Sequence, residues 1–87
     1  MASFGWALDA MKSGSKVSRI GWNGKGMWLY FVPGVSGYKL TPNMPWYYSR
    51  DTIDFNSRID MYTADGKIQP GWLASQTDML ADDWGVA

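Results

Sequence analysis

Phe4, Ala7, Leu8 and Met11 fall at three- and four-residue intervals among polar neighbours, the spacing that lines one face of a helix. Ser3 stands where an N-cap belongs and Gly14 where a helix stops, so the pattern predicts an amphipathic helix from Ser3 to Lys12. The period then changes. Lys16 to Trp22 is rich in β-branched and aromatic residues, Met27 to Val32 is apolar almost throughout, and Asn23-Gly24-Lys25-Gly26 lies between them. Asn-Gly between two such runs is a strong hairpin signal. Pro33-Gly34 closes the second strand, and Val35 to Thr41 fits a short third one. Pro42 to Thr52, PNMPWYYSRDT, has no period and predicts an aromatic loop.

Ile53 to Ser57 alternates weakly. Arg58 to Thr63 alternates properly, with Ile59, Met61 and Thr63 on one face and Asp60 and Tyr62 on the other. Ala64-Asp65-Gly66 turns the chain into Lys67 to Gln69, a second hairpin. Ser75 followed three residues later by Asp78 is a capping box with the shorter acid. Met79, Leu80 and Trp84 follow at helical spacing, which predicts a short helix starting near Ser75 and ending by Gly85, with Asp82 and Asp83 facing water. The order of elements describes one α+β domain, residues 1–87: a small antiparallel sheet of two hairpins with an N-terminal and a C-terminal short helix.

Composition narrows what such a domain can do. The 87 residues include no Cys and no His, and all eight acids are Asp. A disulfide framework, a thiolate nucleophile, the usual zinc ligands and the commonest general base are therefore excluded. Five Lys and three Arg bring the net charge to zero, so no long-range field draws a nucleic acid polymer or an anionic membrane. No apolar run reaches the ~20 residues of a membrane span, and the N-terminus lacks the pattern of a secretory signal. The expectation is a soluble, cytoplasmic protein without cofactor or metal.

What remains is a surplus of rings: six Trp, five Tyr and three Phe. Trp6 and Trp84 sit on the apolar faces of the two expected helices and read as core. Trp22, Trp28, Trp46 and Trp72 adjoin Gly, Pro or polar turn residues and read as half-exposed. Exposed indoles stack on the bases of nucleotides, and they also furnish oligomer interfaces. Gly21 to Gly26 lacks the strand-to-helix setting of a P-loop and reads as a hairpin turn, yet Lys25 is at its tip and Met27, Trp22 and Trp28 stand around it. Ser75, Gln76 and Thr77 place hydroxyl and amide groups at a helix start, where free N–H groups suit phosphate oxygens. Asp82-Asp83 is the one adjacent acidic pair, and its side chains diverge on a helix. Asp54 and Asp60 match no ligand spacing. Aromatic plates, a glycine turn and a polar helix start describe a pocket for a nucleotide-like ligand and do not describe a reaction.

The words Phe4-Gly5-x-Ala7-Leu8, Gly21-Trp22-Asn23-Gly24-Lys25-Gly26-Met27-Trp28, Val32-Pro33-Gly34, Ile59-Asp60-Met61-x-Thr63-Ala64-Asp65-Gly66 and Trp72-Leu73-Ala74-Ser75-Gln76-Thr77-Asp78-Met79-Leu80-Ala81-x-Asp83-Trp84 resemble, in order and over nearly the whole chain, a family of small phage and prophage proteins: the second type of anti-Thoeris protein. The resemblance implies a sponge in the cytoplasm of the infected bacterial host. Such a protein binds the cyclic ADP-ribose-type signal of the Thoeris system (glycocyclic ADP-ribose), holds it without cleavage and assembles as a homo-oligomer, typically a tetramer. Some relatives also accept cyclic dinucleotides. Carried over by position, the resemblance implies a pocket of Trp22, Asn23, Gly24, Lys25, Met27, Trp28, Ala74, Ser75, Gln76, Thr77 and Asp78. Trp22 and Trp28 would pack on adenine or ribose, Asn23, Gly24 and Met27 shape the wall, and Ser75 to Asp78 recognise polar groups, with Lys25 or Arg19 neutralising the pyrophosphate. The segment Val35 to Arg58 departs from the family pattern. Two other readings stay open: a small hydrolase of the same nucleotides built on Asp and Lys, and a virion or assembly protein whose rings make only protein contacts.

Overall fold

The computed structural model of the protein describes residues 2–22, 25–45 and 50–87. Helix α1 spans Phe4–Lys12 and begins as the sequence dictates, with the Ser3 hydroxyl accepting from the Trp6 amide at 3.2 Å. That bond satisfies one of the free donors of the first turn. Gly14 follows the helix at φ 97°, a left-handed conformation that glycine adopts without strain. Ala7 and Met11 are buried, whereas Trp6, expected in the core, turns outward at 37% exposure.

The strands are β1 (Val17–Arg19), β2 (Trp28–Val32), β3 (Val35–Lys39), β4 (Thr52–Phe55), β5 (Arg58–Tyr62), β6 (Ile68–Gln69) and β7 (Trp84–Val86), with α2 (Gln76–Leu80) before the last. Five of them form one antiparallel sheet in the order β6-β5-β2-β1-β7, and β3 and β4 form a separate pair. The second hairpin stands as read: Met61 pairs with Gln69 and Tyr62 with Ile68 across the turn, with Gly66 at φ 83°. The first is looser than the Asn-Gly signal implies. Strand β1 ends at Arg19, β2 resumes at Trp28, and Val17 pairs with Leu29, so the connection runs from Ile20 to Met27. Asn23 and Gly24 lie outside the described residues, as do Trp46, Tyr47 and Tyr48 of the expected aromatic loop.

Alternation sorts the sheet's side chains. Val17, Leu29 and Trp84 are fully buried together with Ala7 and Met11 of α1, and Phe31, Ile59 and Met61 pack against them. The C-terminal segment departs most from expectation. Helix α2 stops at Leu80, buries none of its own residues and leaves Met79 and Leu80 exposed. Trp84 belongs instead to β7, paired with Arg19 on one side and bridged to Ala2 on the other. Its ring fills the centre of the core at 0% exposure, and its Nε1 donates to the Asp78 carbonyl at 3.0 Å. Helical spacing and burial in a short strand both explain an apolar residue at that position. The burial of Trp84 between two strand partners wins because a five-residue helix has too little apolar surface to hold itself.

Candidate ligand-binding site

The capping box at α2 is formed in full. The Asp78 amide donates to the Ser75 hydroxyl at 3.0 Å, and the Ser75 amide donates back to the Asp78 carboxylate. The Ser75 hydroxyl also donates to Asp78 Oδ2 at 2.8 Å. The other carboxylate oxygen accepts from Trp22 Nε1 at 3.0 Å and from Arg19 Nη1 at 2.8 Å. Asp78 is thus the point where the Gly21–Trp28 motif and the Ala74–Asp78 motif touch, although 56 residues separate it from Trp22.

Arg19 reaches a second acid. Its Nε donates to Asp83 Oδ1 at 2.8 Å, and the Gly21 amide donates to Asp83 Oδ2 at 2.7 Å. Asp83, expected to face water, therefore clamps β1 and the following turn to the chain entering β7. A Cβ built on Gly21 would lie 2.9 Å from Asp83 Oδ2, so glycine permits the clamp. Burial works to raise the Asp78 carboxyl, but the bonds from Trp22, Arg19 and Ser75 outweigh it and hold it below its ordinary value. The Arg19 bond holds Asp83 low as well, and the two acids raise the guanidinium of Arg19 in turn. With two carboxylates already facing it, Arg19 serves to join elements. Lys25 is the exposed cation of that loop, with Met27 half-buried behind it.

Trp22 is half-buried in an aromatic cluster, edge-on to Trp84 at 5.4 Å and to Trp72 at 6.5 Å, with Phe4 packing on both of those rings. Gln76 and Thr77 are exposed on the first turn of α2, and Ala74 is half-buried before it. Trp28 stands apart from this group. It alternates with buried Leu29, so it projects from the opposite face of the sheet. There it stacks on Tyr62 at 4.9 Å and 8°, tilts against Tyr30 at 5.3 Å and carries Lys16 Nζ 4.6 Å from its ring centroid. A cavity of about 260 Å³ beside it is lined by Trp28, Tyr30, Lys16 and the chain at Gly14 and Ser15. A larger cleft of about 390 Å³ lies between α1 and β5, against Leu8, Lys12, Arg58 and Trp72, and includes no residue of the two motifs.

The residues expected at the site therefore fall into two groups within one chain: Trp22 with Ser75 and Asp78, and Trp28 with new partners. A match over residues 2–87 to the Tad2-like family model, described as Thoeris anti-defense 2-like, joins this geometry to known proteins. The protein is also 40% identical over 86 residues to Thoeris anti-defense 2 of Bacillus phage SP01, covering 97% of this chain and 92% of that relative. The chain belongs to the Tad2-like family. This is an anti-defence family, and its Thoeris label agrees with the resemblance carried by the closing Trp72–Trp84 motif.

In this Tad2-like domain, sequence reasoning missed Tyr30, Tyr62 and Lys16 around Trp28, and the buried acid Asp60. The signal was present for the aromatics. Alternation puts Tyr62 on the face opposite Ile59 and Met61, and in the β2–β5 register Trp28↔Tyr62 and Tyr30↔Asp60 those four side chains share that face. Asp60 is 1% exposed and accepts from Arg58 Nε at 3.0 Å, from the Gly71 amide at 2.8 Å and from the Tyr30 hydroxyl at 3.4 Å. Burial acts to raise its carboxyl, and these donors overcome it and hold it low. The same buried charge, with burial itself the larger cause, pushes the Tyr30 hydroxyl up.

Proposed function

We propose that the protein counters Thoeris defence by sequestering the cyclic ADP-ribose-type signal intact, in the cytoplasm of the infected host. The observation that carries this reading is the Trp22–Asp78 bond, which draws the glycine loop and the polar helix start into one surface. Trp22 supplies an aromatic wall, Lys25 an exposed cation, and Gln76 and Thr77 exposed hydrogen-bonding groups. Met27 and Ala74 border it, and Asn23 and Gly24, outside the described residues, belong to the set by the resemblance alone. Ser75 and Asp78 act mainly by holding that surface together, because their polar atoms already bond to each other. Trp28 contributes from the other face, where flexible Lys16 yields the ring to a base and turns to its phosphate. A homotetramer brings the two faces of neighbouring chains together around a ligand, and cyclic dinucleotides use the same stacking chemistry.

Holding rather than cleaving is favoured by the use made of the acids. Asp60, Asp78 and Asp83 are each ionised and bound to cations or amides, so each is a structural anchor and a poor proton donor. A sponge must also lower free signal below the effector's threshold, which requires a low Kd and at least one site per signal molecule. Trp rings lose little freedom on binding and suit a preformed pocket. The test incubates purified protein with cyclic ADP-ribose isomers, removes the protein by filtration and then denatures it with heat. The signal should leave solution and return unchanged. Recovery of a linear product would establish a hydrolase, and a signal that never leaves solution would reject sequestration.

A further inference from the structure

Asp83 meets three consecutive residues where β1 ends. Its carbonyl accepts from the Ile20 amide at 3.2 Å, its Oδ2 from the Gly21 amide at 2.7 Å and its Oδ1 from Arg19 Nε at 2.8 Å. The next residue is Trp22, and both ends of Trp22 depend on these contacts. Its backbone follows Gly21 directly, and its own amide donates to the Arg19 carbonyl at 3.4 Å. Its indole Nε1 shares Asp78 Oδ1 with Arg19 Nη1. A guanidinium is planar, so a bond from Nε to one acid and from Nη1 to the other fixes its plane and holds in place the Asp78 oxygen on which the indole rests. The side chains of Arg19, Asp78 and Asp83 are 13%, 14% and 23% exposed, and water competes little for these bonds. Glycine at position 21 belongs to the same device: a Cβ there would lie 2.9 Å from Asp83 Oδ2 and 3.2 Å from Arg19 Nη2.

Packing against Trp84 and Trp72 keeps Trp22 near the core, but ring contacts fix an orientation less sharply than bonds to a charged acceptor. The chain around it has freedom to lose, since Ile20 is exposed and Gly21, Gly24 and Gly26 follow in sequence. A ring that must meet a ligand in one orientation weakens binding whenever the chain samples others, because the apparent Kd is the intrinsic Kd divided by the competent fraction. We infer that Asp83 is a positioning residue for signal binding: through the Gly21 amide and the Arg19 guanidinium it sets the Trp22 ring, and it acts on the ligand only through that ring. Its effect on affinity rests on the sequestration reading, whereas its effect on the ring does not.

The full chain is compared with Asp83→Ala, Gly21→Ala, the two combined, and Asp82→Asn, which removes a charge from the exposed neighbouring residue. Heteronuclear NMR of the ligand-free proteins follows the Trp22 indole proton, and slow exchange of the buried Trp84 indole proton reports that the core persists. Calorimetry with cyclic ADP-ribose isomers gives Kd. Each single substitution at 83 or 21 should shift the Trp22 indole resonance, speed its exchange about tenfold and raise Kd about tenfold, as for a ring correctly placed about a tenth of the time. The double variant should be within about twofold of the weaker single one, because both substitutions break the same contact, and Asp82→Asn should match the wild type. A merely stabilising Asp83 would lower the melting temperature and leave both readouts of the folded protein at wild-type values, so an unchanged Trp22 indole or an unchanged Kd in folded Asp83→Ala overturns the inference. So does a double variant about a hundredfold weaker than the wild type, since independent effects multiply. If Asp83→Ala does not fold, Gly21→Ala and Asp83→Asn, which keeps the side chain's shape, are judged by the same readouts. A wild type that binds no isomer rejects sequestration instead, and the Trp22 indole alone then decides the role of Asp83.

Discussion

Asp78 ties distant parts of the chain together, because one carboxylate completes the α2 capping box, fixes the Trp22 indole and shares Arg19 with Asp83. Asp78→Ala leaves the Ser75 hydroxyl on the amide of residue 78 but removes the reciprocal half of the capping box and the hydrogen bonds to Trp22 and Arg19, a loss of about 2 kcal/mol. Arg19 keeps Asp83, so no buried charge is stranded. Thermal unfolding should move down by roughly 8 to 16 °C for such a loss in a domain of this size, with signal affinity falling alongside. Thr77→Ala provides the contrast. Its side chain is exposed on the same turn, so melting should stay unchanged while the Kd for the signal rises about tenfold or more, the value of a hydrogen bond to a charged group. Titration calorimetry reads this directly, and unaltered affinity would remove Thr77 from the site. The pH dependence follows from the same acids. Asp60, Asp78 and Asp83 are all held below the ordinary value of 3.8. Between the folded and unfolded values the unfolded chain binds more protons, so their contribution is complete above about pH 5 and is lost as pH falls further. The urea midpoint should be flat from neutral pH to about pH 5 and then drop, with a shallower drop in Asp78→Asn.

At the level of elements, local patterns were legible wherever one residue type has one local use. Ser3, Gly14, Ser75 with Asp78, and Ala64-Asp65-Gly66 each act within a few residues, and each does in the structure what its spacing implied. Trp84 and Asp83 were misread because their partners, Arg19 and Ala2, are more than sixty residues away, and helical spacing after a genuine cap competes with that unseen pairing. The pair Trp84→Leu and Leu80→Ala separates the two descriptions of the C-terminus. In a continuous helix both side chains would belong to one apolar stripe and both substitutions would cost stability. With Trp84 in β7 and Leu80 79% exposed, Trp84→Leu should cost about 3 kcal/mol or more, from the cavity and the lost indole hydrogen bond to the Asp78 carbonyl, and Leu80→Ala no more than about 0.5 kcal/mol. Denaturant midpoints of the two variants check the contrast.

For the whole molecule, the sequence motifs carried the family, and the two-sided sheet explains why they did not carry a single pocket: Trp22 and Trp28 are near neighbours in sequence yet belong to opposite faces, a separation that depends on the alternation after Met27 and on the β2–β5 register. Binding can nevertheless be tested without knowing which face dominates, because any ligand held by the folded state alone stabilises the entire cooperative unit. At a free signal concentration one hundred times Kd the gain is about 2.7 kcal/mol, which for a domain of this size corresponds to a rise of roughly 10 to 20 °C in melting temperature. Time supplies the discriminating axis. A sponge returns the same shift after minutes or overnight, since bound and free signal remain at equilibrium, whereas a hydrolase loses the shift as its substrate disappears. Thermal melts of protein with cyclic ADP-ribose isomers, repeated after increasing incubation, should therefore give a large and constant shift, and Trp22→Ala should abolish that shift. A decaying shift would transfer the protein to the hydrolases, and an equal shift in Trp22→Ala would move the site to the Trp28–Tyr62 face.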